Sequence, residues 1–97
     1  MGISVTPDMK DTAAMMTSDD YKERFKAEYY QTKIRYERLK RLNNQIEAAV
    51  ITQYGIGKTV ELPKVDCPHD LLASQQRTMG EYLHILEVRA VIEGIEL

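Results

Sequence analysis

The chain has 97 residues, enough for one domain with a modest core, and only three prolines, five glycines and a single cysteine. A hydrophobic fraction of 43% with 29% charged residues excludes a disordered or fibrous chain, and no apolar run is long enough for a transmembrane helix. A net charge of −2 excludes a globally basic nucleic-acid binder, but the charge is segregated: residues 22–41 carry +5, while residues 1–20 and 81–97 carry −3 each.

Taken in chain order, Met1–Val5 has neither the basic nor the apolar stretch of a secretory leader, which points to the cytosol, and lone Cys67 agrees with a reducing compartment. Thr6-Pro7-Asp8 has the form of an N-cap with proline at the first helical position, so residues 7–16 are expected as a short helix. Its weakly apolar Ala13, Ala14, Met15 and Met16 suit an arm, residues 1–17, that packs only in an assembly.

Thr17 or Ser18 is expected to cap the next helix, with Asp19 and Asp20 in its first turn where the helix dipole favours negative charge. No glycine or proline follows until Gly55, so residues 18–53 are read as one helix. Tyr21, Phe25, Tyr29, Thr32, Tyr36, Leu39, Leu42, Ile46 and Ala49 recur every three or four residues and form its seam.

Gly55 and Gly57 suit a helix stop, and the connection 54–67 contains Pro63 and a stretch, residues 58–62, that could be a short strand. Pro68 and Asp70 open a second helix over 68–93. This helix carries two apolar stripes: Leu72, Met79, Leu83, Leu86 and Ala90, and, rotated from them, Leu71, Tyr82, Ile85, Val88 and Ile92. One stripe closes a hairpin; the other needs a partner surface, which predicts a homo-oligomer with Ile95 and Leu97 as a clasp onto a neighbour. The fold class is therefore all-α: a long antiparallel hairpin, residues 18–97, preceded by a short helix or arm.

Catalytic and metal chemistry find no support. Cys67 and His69 lie at a helix start, and His84 is about 22 Å from His69 along a helix, so the three do not make a metal site within one chain. Cys67 has no base partner to complete a nucleophilic site. Gly57-Lys58-Thr59 imitates the end of a phosphate-binding loop, but the earlier glycine is misplaced and the loop follows a helix rather than a strand. No enzyme activity and no cofactor are expected. What stands out is the interleaving of Tyr21, Phe25, Tyr29, Tyr30 and Tyr36 with Arg24, Lys33, Arg35 and Arg38: aromatic faces stack on bases and guanidinium groups hold phosphates. The plainer alternative makes the tyrosines seam residues and the charges a solvated face.

Tyr21-Lys22-Glu23-Arg24-Phe25 with Glu28, Leu39 with Leu42, and the second-helix series Asp70-Leu71-Leu72, Gln75, Met79, Tyr82-Leu83, Leu86 and Arg89 resemble the helical hairpin of phage anti-CBASS sponges, shared with one class of anti-Thoeris sponge. The resemblance spans about residues 20–93. It implies sequestration, without cleavage, of cyclic di- or trinucleotide messengers, or of a cyclic ADP-ribose type, in pockets between protomers of a homo-oligomer, often a hexamer, in the cytoplasm of an infected bacterium. By that resemblance Tyr21 stacks on a base or lines the pocket, Arg24 with Arg35 or Arg38 holds phosphates, and Arg89 serves a second pocket; Glu28 and Tyr36 complete the expected site. The N-terminal extension and the glycine-containing connection depart from the family pattern and leave the ligand open. The competing reading is a small helical structural or adaptor protein acting through residues 71–92. Binding to a DNA or RNA polymer is disfavoured by the acidic remainder of the chain.

Overall fold

The computed structural model describes residues 6–53, 55 and 57–97. Three helices follow one another: α1, Met9–Met16; α2, Tyr21–Thr52; and α3, His69–Glu93. At 1.5 Å per residue the 32 residues of α2 make a rod of about 48 Å, which sets the 53 Å long axis of the chain. No strand is formed among the described residues, so the stretch 58–62 is not the short strand the sequence allows. Its backbone is tied to the rod instead: the Thr52 hydroxyl donates to the Ala48 carbonyl at 2.8 Å and accepts the Val60 N–H at 3.0 Å. Of the expected helix-stop segment, Tyr54 and Ile56 lie outside the described residues, as do residues 1–5 of the arm. Gly55 and Gly57 do take positive φ, 79° and 73°.

Both early caps differ from expectation by a few residues. Helix α1 is capped by Asp8 rather than Thr6, in a reciprocal box where the Asp8 carboxylate accepts the Asp11 N–H at 2.8 Å and Asp11 accepts the Asp8 N–H at 3.1 Å. Helix α2 is capped by Asp20, whose carboxylate accepts the Lys22 N–H at 3.0 Å. Ser18 is spent on the preceding turn, where its hydroxyl accepts the Asp20 N–H at 3.1 Å. That turn sends α1 back against α2 within the same chain.

The arm is therefore not left to an assembly. Thr12 has 0% of its surface exposed and its hydroxyl donates to the Met9 carbonyl at 2.8 Å, so its polar group is satisfied where it is buried. On α2, Ala27 is equally buried and sits about 200° around the helix from Phe25 at 100° per residue, well away from the α3 seam. Ile34 and Arg38, on Ala27's side of the rod, border a recess with residues 6–10. The rod is thus covered on two faces, one by α1 and one by α3.

The core proper lies between α2 and α3: Phe25, Tyr29, Leu83, Leu86, Ala90 and Ile95 form one cluster, with Tyr30 and Tyr36 packed against it. Farther along, Ile46 and Ala49 are buried and Asn43 ties the helices together, donating to the Leu72 carbonyl at 3.2 Å and to Gln76 Oε1 at 2.7 Å. Gly80 leaves room for the Tyr36 ring; a Cβ there would meet that ring at 3.3 Å. Ile95 is not a clasp onto a neighbour. Gly94 turns left-handed (φ 70°), the Ile95 N–H returns to the Ala90 carbonyl at 2.8 Å, and the Ile95 side chain folds into its own core, the arrangement of a Schellman stop.

The second α3 stripe is solvent-facing throughout: Leu71, Tyr82, Ile85, Val88 and Ile92 are all exposed, Ile92 to 77%. Two substitutions check this packing. Leu86, 1% exposed, should lose about 2–5 kcal/mol of stability on Leu86→Ala, read by chemical denaturation. Gly80→Val should cost about 1–3 kcal/mol because the added branch must displace the Tyr36 ring or part the helices.

Candidate functional site

The antiparallel pairing of α2 and α3 brings the first turns of one to the last turns of the other. Tyr21, Arg24, Phe25 and Glu28 rise from α2, Leu86 and Arg89 from α3, and Met16 from the end of α1; together they line an open recess of about 330 Å³. Phe25 and Leu86 are its apolar floor, and Tyr21, Arg24, Arg89 and Glu28 its polar rim. Four of the seven residues expected from sequence, Tyr21, Arg24, Glu28 and Arg89, thus meet at one place, whereas the resemblance implies a separate pocket for Arg89.

The rim is held by a closed set of hydrogen bonds. Arg89 donates from Nε to Glu93 Oε2 at 3.1 Å and from Nη2 to the Tyr21 hydroxyl at 2.9 Å, and that hydroxyl donates to Glu93 Oε1 at 2.8 Å. The Arg89 guanidinium carbon stands 5.1 Å from the centre of the Phe25 ring, a cation–π distance, and the Tyr21 ring lies 6.2 Å from Phe25 at a 59° tilt. Arg24 donates to the Ser18 carbonyl at 2.7 Å, so it braces the α1–α2 turn while bordering the recess. Lys22 reaches the Gly94 carbonyl at 3.5 Å, placing a cation near the negative end of α3.

These contacts shift the acid–base groups. The hydrogen bond from Tyr21 holds the Glu93 carboxyl below its ordinary range, aided by Arg89. Tyr21 is pushed up, first by its hydrogen bond to Glu93. Deeper in the seam, burial and a 2.6 Å hydrogen bond to Glu87 keep the Tyr29 phenol protonated. At the recess, the Arg24 and Arg89 guanidinium groups could pair with an anion and the exposed Tyr21 ring could stack, which is binding chemistry.

The remaining expected residues lie elsewhere. Tyr36 packs on the core and against Gly80. Arg35 is exposed, and Arg38 borders a recess of about 500 Å³ with Thr6, Pro7, Asp8, Met9, Lys10 and Ile34. Fourteen residues separate Arg24 from Arg38, about 21 Å along the helix, so within one chain they serve different places. Sequence reasoning missed Glu93, and it placed Phe25 both in the seam and in the aromatic–basic constellation without naming it a site residue. The available signal for Glu93 was its position four residues after Arg89 on a helix.

The Glu93 shift carries a signed prediction. A carboxyl depressed in the folded state adds stability above its ordinary pKa, and that contribution disappears as pH falls through the depressed value. Wild type should therefore melt higher than Glu93→Gln near neutrality, and thermal scans should show the gap closing in acid.

No curated protein and no solved structure gives a significant match. The Sequestin family model matches residues 19–92, from the turn before α2 through nearly all of α3, and so takes in both helices of the hairpin and every residue lining the recess except Met16. The chain belongs to the Sequestin family.

Proposed function

We propose that this protein is a phage anti-defence sponge that binds a cyclic nucleotide messenger and withholds it without cleaving it. The observation that carries the reading is the convergence of Tyr21, Arg24 and Arg89, from opposite ends of two helices, over the Phe25 floor. A stacking face between two fixed cations suits a base with its phosphate, and family membership supports sequestration as the role. Capture of a preformed anion needs donors and stacking planes and no nucleophile, base or metal.

In this reading the recess is one half of a pocket. It is open on one side and holds a single face of a nucleotide, and the exposed stripe on α3 supplies the apolar surface through which copies join, as hexamers or another homo-oligomer. Assembly would bring the second set of cations, Arg35 and Arg38 with Tyr36 nearby, toward a ligand held at Tyr21 of a neighbouring copy. The protein then acts in the cytoplasm of the infected host, where such messengers are made; no helix among the described residues is long and apolar enough to cross a membrane. The ligand is a cyclic di- or trinucleotide or a cyclic ADP-ribose type.

Native mass spectrometry with a panel of these ligands tests the proposal. The expected result is an oligomer that carries intact ligand in fixed ratio to protomers, with Tyr21→Ala and Arg24→Glu each weakening binding by roughly 1–3 kcal/mol. A folded protein that binds no member of the panel refutes it.

The same exposed stripe also favours a second reading, a structural or adaptor protein docking another chain on Leu71, Tyr82, Ile85, Val88 and Ile92. In that case Arg24→Glu is harmless and Ile85→Asp abolishes function, which a paired comparison of the two variants decides.

A further inference from the structure

We infer that Glu93 is a positioning residue for ligand capture, acting through Arg89; this rests on the sequestering reading above. Glu93 is not among the residues lining the recess. It stands behind Arg89 and takes the guanidinium by its Nε edge at 3.1 Å, while Tyr21 takes Nη2 at 2.9 Å and the Phe25 ring lies against the guanidinium carbon at 5.1 Å. Three supports fix a side chain that is otherwise 48% exposed, and Nη1 makes no hydrogen bond among the described residues. Arginine's flat fork is thus held with one amino group open to an incoming phosphate oxygen.

Local helix energetics do not account for Glu93. It is the last residue of α3, where the helix dipole disfavours negative charge. The pair also runs arginine first and glutamate four residues later, the weaker of the two orders on a helix. A carboxylate set against the dipole and in the weaker pair order is nonetheless bonded to Tyr21 and Arg89 together, which ties it to those two side chains. Its bond from the Tyr21 hydroxyl at 2.8 Å fixes the stacking ring and the cation in one unit. A ligand meeting this unit does not have to order a four-torsion side chain on arrival.

The test pairs ligand binding with a ligand-independent signature. Cyclic di-AMP, cyclic tri-adenylate and cyclic ADP-ribose serve as probes for wild type, Glu93→Gln, Arg89→Ala and the double variant, by calorimetry. Glu93→Gln should weaken the probe that wild type binds by about five- to tenfold, the cost of leaving one side chain to be ordered on binding. In the Arg89→Ala background the same change should alter affinity by less than about twofold, because its route is gone. By nitrogen NMR of the free protein, the Arg89 Nε–H should exchange with solvent more slowly than that of Arg38, and Glu93→Gln should erase the difference.

Wild type that binds a probe while Glu93→Gln binds it equally well or better overturns the positioning role and leaves sequestration standing. An undiminished effect in the Arg89→Ala background, or an Arg89 Nε–H that exchanges equally fast with and without the carboxylate, overturns it too. Wild type that binds none of the probes fails the sequestering reading itself.

Discussion

The antiparallel contact between α2 and α3 is the constraint on which everything else here depends. Phe25, Tyr29, Leu83, Leu86 and Ala90 make it apolar, Gly80 leaves room for the Tyr36 ring, and Ile95 closes its end after Gly94 reverses the chain. The buried cluster lies where α2 starts and α3 stops, so the helix termini there pack on it. Tyr21 and Arg89 are 68 residues apart in sequence, and a 2.9 Å hydrogen bond joins them only because this seam fixes the register of one helix on the other.

That register brings together groups that are ordinary when taken singly. Arg89 on a lone helix would be a mobile surface side chain, and Tyr21 a frayed first-turn residue. Set over Phe25 and joined through Glu93, they become a stacking plane beside a fixed cation. The cost of the arrangement is a carboxylate at the wrong end of a helix, offset in part by Lys22 at the Gly94 carbonyl. A recess assembled from two helix ends is also open on one side, which is why the exposed α3 stripe matters to the proposed function.

The short arm is a second consequence of packing geometry. Its sequence has too little apolar surface to fold alone, and reading it in isolation led to an element waiting for a partner chain. The partner is the far face of α2, where Ala27 is fully buried and Ile34 borders the first residues of the arm. Thr12 illustrates how this is achieved with a polar residue, since its hydroxyl bonds back to Met9 and so can enter the interior without loss.

The sequence by itself determined the helices, the seam and the aromatic–basic character of the site. A run without glycine or proline has no cheaper local structure than a helix, and apolar residues every three or four positions must share a face. It also singled out Tyr21, Arg24, Glu28 and Arg89, through motif and chemistry, and these four line one recess. Tertiary structure alone decided which residues of different helices meet, moving Arg89 beside Tyr21 and setting Tyr36 against Gly80, whereas the 21 Å or so between Arg24 and Arg38 already follows from their spacing on one helix. It alone chose Asp8 and Asp20 over neighbouring caps: Asp8 closes a reciprocal box with Asp11, and the turn between α1 and α2 had already claimed Ser18. The reason is common to all of these: periodicity fixes which side of a helix a residue occupies, whereas distance between helices depends on register, which side chains settle only when they pack.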